Sequence, residues 1–277
     1  MSVQIAEFGS VQKGLKELMN ATPAFRQNLE ARIEDSGLFN NWIDSKTLNL
    51  YSHNEKYNKN SFKIDNSFDL NKIVNSEVSS NGSIKVSKND YTASKGTAFI
   101  VFNSNYAIRT DKYKKGMTLQ EVKKAGGFKI NEQLTPEEVL THDGWLELAV
   151  GKENAAEDDY ENALILLKKY VSAAKQNKCF GSGTGMGFYV QTDSKENMAR
   201  PWGVDNRGND SGADNRYSFN NGGRFLRVRL DKTAEGRFAK IDPAFAEAYA
   251  KMLTGADVLH TPNGDYILAK GKIEVKK

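Results

Sequence analysis

One short run of residues places the strongest constraint on how this chain can fold. Residues 97–102 read Thr-Ala-Phe-Ile-Val-Phe and are apolar almost throughout. A half-exposed strand alternates apolar and polar residues, whereas a continuous apolar run of this length is typical of a strand that is buried on both faces. The sequence therefore predicts a folded protein with a buried β-strand at this position.

The composition excludes several classes of protein. Hydrophobic residues make up 39% of the 277 residues, which is too much apolar material for a disordered chain. Cys179 is the single cysteine, so neither an intrachain disulfide nor a CxxC zinc site can form. The start lacks a basic segment followed by an apolar run, and no stretch approaches the roughly 18 apolar residues of a membrane span. We expect a cytoplasmic protein with no membrane partner and no cofactor.

The first 90 residues divide into a segment with helical periodicity and an asparagine-rich segment. Apolar residues recur at helical spacing from Val11 to Met19, and Thr22-Pro23 predicts a second helix that ends near Gly37, with Thr22 as its N-cap. Residues 38–90 are rich in asparagine and contain short apolar runs, with the best tight-turn signal at Asn81-Gly82. The pattern predicts a helical pair followed by short strands.

The second half of the chain has several helix starts. Thr118 and Glu121 form a capping-box pattern, and Thr135-Pro136 places proline at a first helical position. Residues 161–175 carry an amphipathic stripe, and 188–190 and 224–230 have the composition of strands. A helix is predicted after Asp242, and residues 258–268 form a hairpin pattern around 261–264. The residues of the stripe are Ala163, Leu166, Leu167, Tyr170, Val171 and Ala174.

Together these patterns predict an α+β fold. It would consist of an N-terminal helical pair, a short-stranded Asn-rich middle, and C-terminal helices packed on a small, mostly antiparallel sheet. Two domains, 1–115 and 116–277, and one integrated domain are equally compatible with the sequence, because no long linker separates the halves.

Two features suggest catalysis and have simpler structural interpretations. The glycine run from Gly181 to Gly187 could surround an anion, but a phosphate loop needs Lys-Ser/Thr and a helix after its last glycine, and here a strand pattern follows. His142 precedes Asp143-Gly144-Trp145 where one helix pattern ends and another begins. We interpret that segment as a helix-junction turn anchored by a buried Trp145.

Arginine is concentrated in one segment of a chain that otherwise relies on lysine. Residues 200–229 contain six arginines, and a guanidinium can grip a phosphate or carboxylate at two places and stack on a ring. Strand alternation in 224–230 would place an aromatic residue and two arginines on one face, which suits an anionic surface. An ordinary solvated strand with surface ion pairs is the alternative. The candidate anion-binding residues are Arg200, Trp202, Arg224, Phe225, Arg227 and Arg229.

Oxygen-bearing side chains are dense in residues 205–215. A turn-rich loop of this composition can wrap a calcium ion, and Asp205, Asp210 and Asp214 would be the ligands. The loop lacks the glycine and the glutamate of the EF-hand register, so a polar loop with Asx turns is the interpretation that we prefer, without a metal.

Three functional hypotheses follow. The first is a non-enzymatic binding protein for an anionic partner, either nucleic acid or another phosphate-bearing ligand, through the Arg-rich strand face. The second is a structural or assembly protein that forms a homo-oligomer and takes no small-molecule ligand. The third is an enzyme with a scattered active site, for which His142 and the glycine run are the candidates. We favour the first two, because the sequence contains no catalytic motif.

Overall fold

The computed structural model describes residues 2–7, 24–66, 84–152, 155–178, 186–194, 196–205, 212–216, 224–229, 258–261, 264–269 and 272–276. A 3-10 helix at Ser36–Asn40 adds to the helices and strands. The helices are α1 Phe25–Glu34, α2 Lys88–Ala93, α3 Leu119–Lys124, α4 Pro136–Leu140, α5 Asp143–Val150 and α6 Glu157–Gln176. The strands are β1 Ser2–Glu7, β2 Ile43–Asn54, β3 Lys59–Asp65, β4 Ile84–Lys85, β5 Thr97–Asn103, β6 Tyr106–Arg109, β7 Phe128–Lys129, β8 Gly187–Tyr189, β9 Met198–Asp205, β10 Gly212–Asp214, β11 Arg224–Arg229, β12 Val258–Thr261, β13 Gly264–Ala269 and β14 Lys272–Lys276.

The chain divides into two compact units. The larger is Gln4–Arg227, and the smaller consists of Met1–Val3 with Val228–Lys277. Position 115 lies inside the larger unit. Whether residues 1–115 and 116–277 behave as separate modules stays a prediction.

One large sheet organises the larger unit. Its main path runs β7-β6-β5-β3-β2-β9-β10-β8. Outside this path, β4 pairs with β9 and β11 pairs with β2. Most neighbours are antiparallel, while the β10/β8 and β11/β2 pairs are parallel. Strands from residues 43–65, 97–109 and 187–214 thus share a single sheet, so segments far apart in the sequence meet at β2, β9 and β10.

The long hairpin of β2 and β3 forms the centre of the sheet. Its register runs from Leu48 opposite Asp65 to Asn54 opposite Lys59. Asn58 in the connecting turn has a φ of 50°, a left-handed conformation that asparagine tolerates better than most residues. The turn chemistry therefore fixes the register of the central pair.

The main core lies between this sheet and three helices. Phe25 of α1, Trp145 of α5 and Tyr170 of α6 are fully buried, and Phe25 makes edge contacts with both Trp145 and Trp202. The predicted stripe of α6 is confirmed, since all six of its residues are buried.

The strand predicted at residues 97–102 is confirmed, and it is buried on both faces. Phe99 and Val101 belong to the main core, whereas Ile100, between them, packs with Ile108, Tyr113 and Val122 in a second cluster. Because successive side chains of a strand point to opposite faces, β5 has an apolar cluster on each side.

A buried polar node joins α5 to the edge of this sheet. The Glu147 carboxylate accepts hydrogen bonds from Arg109 Nη1 at 3.1 Å, Tyr160 Oη at 2.7 Å and Thr97 Oγ1 at 2.9 Å. Glu147 is only 4% exposed, so these three donors replace the water that its charge loses on burial.

Several local predictions are confirmed by atomic contacts. Thr118 and Thr135 each cap a helix through a capping box, and Pro136 is the first residue of α4. In the smaller unit, β12 pairs with β13 from Val258 opposite Ile267 to Thr261 opposite Gly264, which confirms the terminal hairpin, and β14 adds a third strand.

The predicted fold class is wrong, because the molecule is dominated by the large sheet and not by a helical pair and a small C-terminal sheet. The asparagine-interrupted segment 43–54 is one strand of 12 residues. Two of its buried polar side chains are hydrogen-bonded: Ser45 Oγ donates to the Trp202 carbonyl at 2.8 Å, and Thr47 Oγ1 accepts from the Phe25 amide at 3.0 Å. Because polar residues are buried in this central strand, its sequence resembles a series of turns.

The N-terminal helices also differ from the prediction. The cap of α1 is Ala24 rather than Thr22, and α1 ends at Glu34, before the 3-10 turn that contains Gly37. The helix predicted from Val11 to Met19, the Asn81-Gly82 turn and the helix after Asp242 lie outside the described residues. Among the helices that are described, none is both long and apolar enough to cross a membrane.

Candidate functional site

The candidate site lies where β8, β9 and β10 meet. Asp214 of β10 is opposite Gly203 of β9 in antiparallel register and opposite Tyr189 of β8 in parallel register. At the start of β10, a Cβ on Gly212 would lie 2.4 Å from the Gly187 carbonyl oxygen. Glycine at position 212 therefore allows β8 and β10 to approach and brings the ends of both strands to one place.

An open cavity of about 500 Å³ is found beside these strand ends. Residues 190–193 after β8, Arg200 of β9 and Arg216 after β10 form most of its wall. The lining residues are Asn131, Val190, Gln191, Thr192, Asp193, Arg200 and Arg216. Six of the seven carry polar or charged side chains, so this cavity is suited to a polar ligand rather than to an apolar one.

Arg216 is held by two contacts. Its guanidinium donates Nη2 to Asp214 at 2.7 Å and Nε to both Asp214 oxygens at 3.1 and 3.2 Å. The same guanidinium lies 4.1 Å from the centre of the Tyr189 ring, and Asp214 is almost fully buried. The fork of hydrogen bonds and the ring stack fix the plane of the cation at the cavity wall.

Arg200 lies deeper than Arg216. It is 7% exposed, and its Nη1 donates to the backbone carbonyl of Arg216. Burial lowers the pKa of Arg200, while the nearby Tyr51, Asp193 and Asp214 act in the opposite direction. Because arginine stays protonated in proteins, two cations lie next to each other here, and the carboxylates of Asp214 and Asp193 lie beside them.

Behind the cavity wall lies a small set of buried polar side chains. The hydroxyl of Tyr51 donates to Asn215 Oδ1 and accepts from the Gln191 amide at 2.8 Å. Burial raises the pKa of Tyr51, so the phenol stays neutral. Asn215 Nδ2 and Gln191 Oε1 are buried and have no hydrogen-bond partner among the described residues. Buried polar atoms of this kind are costly unless a ligand or water satisfies them.

The segment that forms the cavity rim is tied down by side chains from elsewhere in the chain. Asn131 Oδ1 accepts from the Val190 amide at 3.0 Å, and the Asn131 amide donates to the Phe188 carbonyl at 2.8 Å. Asn60 Nδ2 donates to the Thr192 carbonyl at 2.6 Å. The rim is therefore preorganised by hydrogen bonds that do not depend on a ligand.

The predicted anion-binding residues are distributed over different environments. Arg200 lines the cavity, whereas Trp202 is fully buried in the main core with its ring 4.7 Å from that of Phe188. The other four, Arg224, Phe225, Arg227 and Arg229, belong to β11, in which Phe225 is the register partner of Asp44. That β11 presents an anion-binding face stays a prediction.

The predicted oxygen ligands do not converge in the described part of the chain. Asp205 ends β9, Asp210 lies outside the described residues, and the Asp214 carboxylate is bound by Arg216. Within the described ranges, no group of three His, Cys, Asp or Glu side chains is arranged to hold a metal ion.

His142 has a structural role. Its Nδ1 accepts from the Trp145 amide at 3.3 Å and caps α5, while Nε2 lies 2.7 Å from the Lys129 carbonyl. Burial lowers the pKa of His142 to about 4, so the ring is neutral near pH 7. The helix-junction interpretation is confirmed, since Trp145 is fully buried. Both ring nitrogens are occupied, and Gly181 to Gly185 lie outside the described residues.

Sequence patterns pointed to part of this cavity and missed the rest. Arg216 belongs to the arginine-dense segment, which is the signal that could have placed it beside Arg200. Tyr51, Asn131 and Gln191 come from three distant segments. No local pattern relates them, because they meet only through the pairing of β2 with β9 and the course of the chain after β8.

No family model matches this chain, and no curated protein matches it. A solved structure that does match is described as "Accommodation of massive sequence variation in Nanoarchaeota by the C-type lectin fold". The two have a TM-score of 0.54 and 16% sequence identity, and the match covers 82% of this chain and 98% of that one. This likeness shows the fold alone, and it overturns the predicted helical-pair architecture. The chain has a C-type lectin fold.

Proposed function

We propose that this chain is a non-enzymatic binding protein that takes a ligand with a phosphate or carboxylate group in the cavity beside Arg200 and Arg216. The observation that carries the proposal is the presence of both guanidiniums in the wall of one open, polar cavity. Planar guanidiniums suit the oxygens of a phosphate or a carboxylate.

The geometry favours binding because the cavity is preorganised. Asp214 and Tyr189 hold Arg216, and Asn131 and Asn60 hold the rim, so little conformational entropy would be lost when a ligand enters. The side chains of Gln191 and Thr192 in the same wall add uncharged hydrogen-bonding groups. A ligand with an anionic group next to a hydroxyl matches this set.

The fold supports a binding role without naming the ligand. The Nanoarchaeota structure concerns the accommodation of massive sequence variation by the same fold. A scaffold of this kind can carry different side chains at a site while the sheet stays in place. The proposal keeps the anionic partner predicted from the arginine-dense segment, and it includes a cytoplasmic location.

Isothermal titration calorimetry with inorganic phosphate, a nucleoside monophosphate and a uronic acid tests this proposal. Arg216→Lys keeps the charge but loses the fork, and we expect affinity to fall about tenfold. Asp193→Asn removes the exposed carboxylate of the cavity wall, and we expect affinity to rise about threefold. Lys169→Gln, on the exposed side of α6, is the matched control and should change nothing.

The outcomes separate binding from assembly. If none of the three probes binds the folded wild-type protein at low salt, the proposal is overturned. A defined oligomer in the same sample would then favour the assembly protein. Binding that Arg216→Lys and Asp193→Asn leave unchanged would place the ligand elsewhere and would also overturn the assignment of this cavity.

A further inference from the structure

A second surface, which shares no residue with the cavity lining, combines aromatic rings with lysines. It covers the second apolar cluster, in which Ile100, Ile108, Tyr113 and Val122 are buried. Half-buried Tyr57 and Phe102 pack against that cluster and reach the surface. Aromatic side chains at this position are anchored on one side and accessible on the other.

The rings form a connected set. Tyr113 makes an edge contact with Tyr57 at a centroid distance of 5.0 Å and a longer one with Phe102 at 6.4 Å. Tyr106, on the neighbouring strand β6, is half-buried as well. Two partly exposed rings therefore contact one buried tyrosine, and a third lies on the adjacent strand.

Lysines lie over three of these rings. Lys56 Nζ is 4.9 Å from the Tyr57 centroid, and Lys59 Nζ is 4.9 Å from that of Phe102. The third contact joins Lys123 Nζ to the Tyr106 ring at 4.8 Å. Lys114, Lys115 and Lys124 are exposed on the adjoining turn and on α3. We call this surface the lysine-aromatic face: Lys56, Lys59, Lys114, Lys115, Lys123 and Lys124 with Tyr57, Phe102, Tyr106 and Tyr113.

Most of the positive charge of this face is not neutralised by ion pairs within the described ranges. Lys56, Lys114, Lys115 and Lys123 make no ion pair with any residue in the described ranges. The neighbouring Glu121 carboxylate accepts from the Thr118 amide and hydroxyl at 2.7 and 2.8 Å, and its charge offsets that of Lys124 alone among these lysines. An acidic partner would therefore meet a surface with excess cation.

We infer that the lysine-aromatic face binds single-stranded nucleic acid. Lysines would turn from the ring faces to neutralise the phosphates, and the rings uncovered in this way would stack bases, which every base permits because each has a π face. An acidic polypeptide would use the lysines but would gain little from the rings, so the aromatic residues favour nucleic acid. This inference is independent of the cavity proposal, since the two sites share no residue.

Fluorescence anisotropy of labelled oligo-dT and oligo-U against the full chain, from 50 to 200 mM salt, tests this inference. Each phosphate contact contributes about −0.7 to the slope of log affinity against log salt for single strands. Lys114→Gln with Lys115→Gln should therefore make the slope shallower by about 1.4. Lys168→Gln with Lys169→Gln, an adjacent exposed pair on α6, is the matched control and should keep the wild-type slope.

Tyr57→Leu tests the contribution of stacking, with thermal melting as the check that the variant folds. We expect affinity to fall about tenfold with the salt slope unchanged. Absence of binding by wild type at 50 mM salt would overturn the inference. It would also be overturned if polyglutamate competes as well as the oligonucleotide and folded Tyr57→Leu binds normally, because the face would then recognise acidic polypeptide.

Discussion

Replacing Asp44 with Asn should stabilise the folded protein at pH 8 and have little effect at pH 4. Asp44 is 7% exposed, and its Oδ1 accepts from Trp42 Nε1 at 2.9 Å. Burial raises the pKa of this carboxyl to about 7; the Trp42 hydrogen bond acts against the rise, and the charge of Asp214 adds to it. Above pH 7 the folded protein therefore contains a buried negative charge on Asp44 that lowers its stability.

The sign and size of the effect follow from linkage. Between the ordinary pKa of 3.8 and a folded pKa of about 7, the folded chain binds more protons than the unfolded chain. The stability from neutral Asp44 is thus fully present below pH 3.8 and is lost as the pH rises through 7. The pKa difference corresponds to about 4 kcal/mol. Asn cannot ionise and still offers Trp42 an acceptor, so it should recover up to about that amount at pH 8.

His142 makes stability depend on pH in the opposite direction and therefore hides the effect of Asp44 in the wild type. Its folded pKa of about 4 lies below its ordinary 6.5, so its contribution is present above pH 6.5 and is lost as the pH falls through 4. That contribution is about 3 kcal/mol. Between pH 4 and 6.5 the two effects nearly cancel. The Asp44→Asn variant should reveal the His142 effect as a stability that rises with pH.

Urea unfolding at pH 4, 5.5, 7 and 8, followed by tryptophan fluorescence, measures these differences. Trp145 and Trp202 are fully buried and should report the loss of the core. If Asp44→Asn is no more stable than wild type at pH 8, and both proteins have the same dependence on pH, then Asp44 titrates normally in the folded state and the reasoning is refuted.

Three further substitutions have expected effects on the free energy of unfolding, each measured by the urea midpoint. Glu147→Ala leaves three donors without their acceptor and should cost about 3 kcal/mol. Thr135→Ala removes the cap that accepts from the Glu138 amide and should cost about 1 kcal/mol. Gly144→Ala places a Cβ 2.4 Å from the Phe188 ring and should cost about 2 kcal/mol through overpacking.

Conservative partners serve as controls for these substitutions. Glu147→Gln keeps two of the interactions and should lose less than Glu147→Ala, and Thr135→Ser should keep most of the cap energy. Equal losses for Glu147→Gln and Glu147→Ala would mean that the hydrogen bonds do not stabilise the fold. A Gly144→Ala protein as stable as wild type would show that Phe188 moves aside at no cost.

Local sequence signals predicted what local chemistry determines. The capping boxes at Thr118 and Thr135, the apolar run at 97–102 and the stripe of α6 all report interactions within a few residues or a single face. These local signals could not predict the sheet. Strand β2 contains the buried polar residues Ser45, Thr47 and Asn49, so its sequence does not alternate between apolar and polar residues. Its pairing with β3 and β9 depends on tertiary structure and has no local sequence signal.

The candidate site shows the same division. The density of arginine drew attention to residues 200–229, and Arg200 and Arg216 do line one cavity. Trp202 was grouped with them by proximity in sequence, yet it fills the core. Tyr51 and Asn131 reach the same place from other parts of the chain, and only the tertiary structure could assign them to it.

The most direct test of the central proposal is an NMR titration of the ¹⁵N-labelled protein with inorganic phosphate, in which the Nε–Hε signal of Arg216 and the amide signals of residues 190–193 are followed. We predict saturable shifts at these positions, and we predict that the 190–193 amides of folded Arg216→Lys need about ten times more phosphate to reach the same shift. Signals at Arg216 and 190–193 that stay unchanged throughout, or shifts confined to the lysine-aromatic face, would contradict the assignment of the cavity as the binding site.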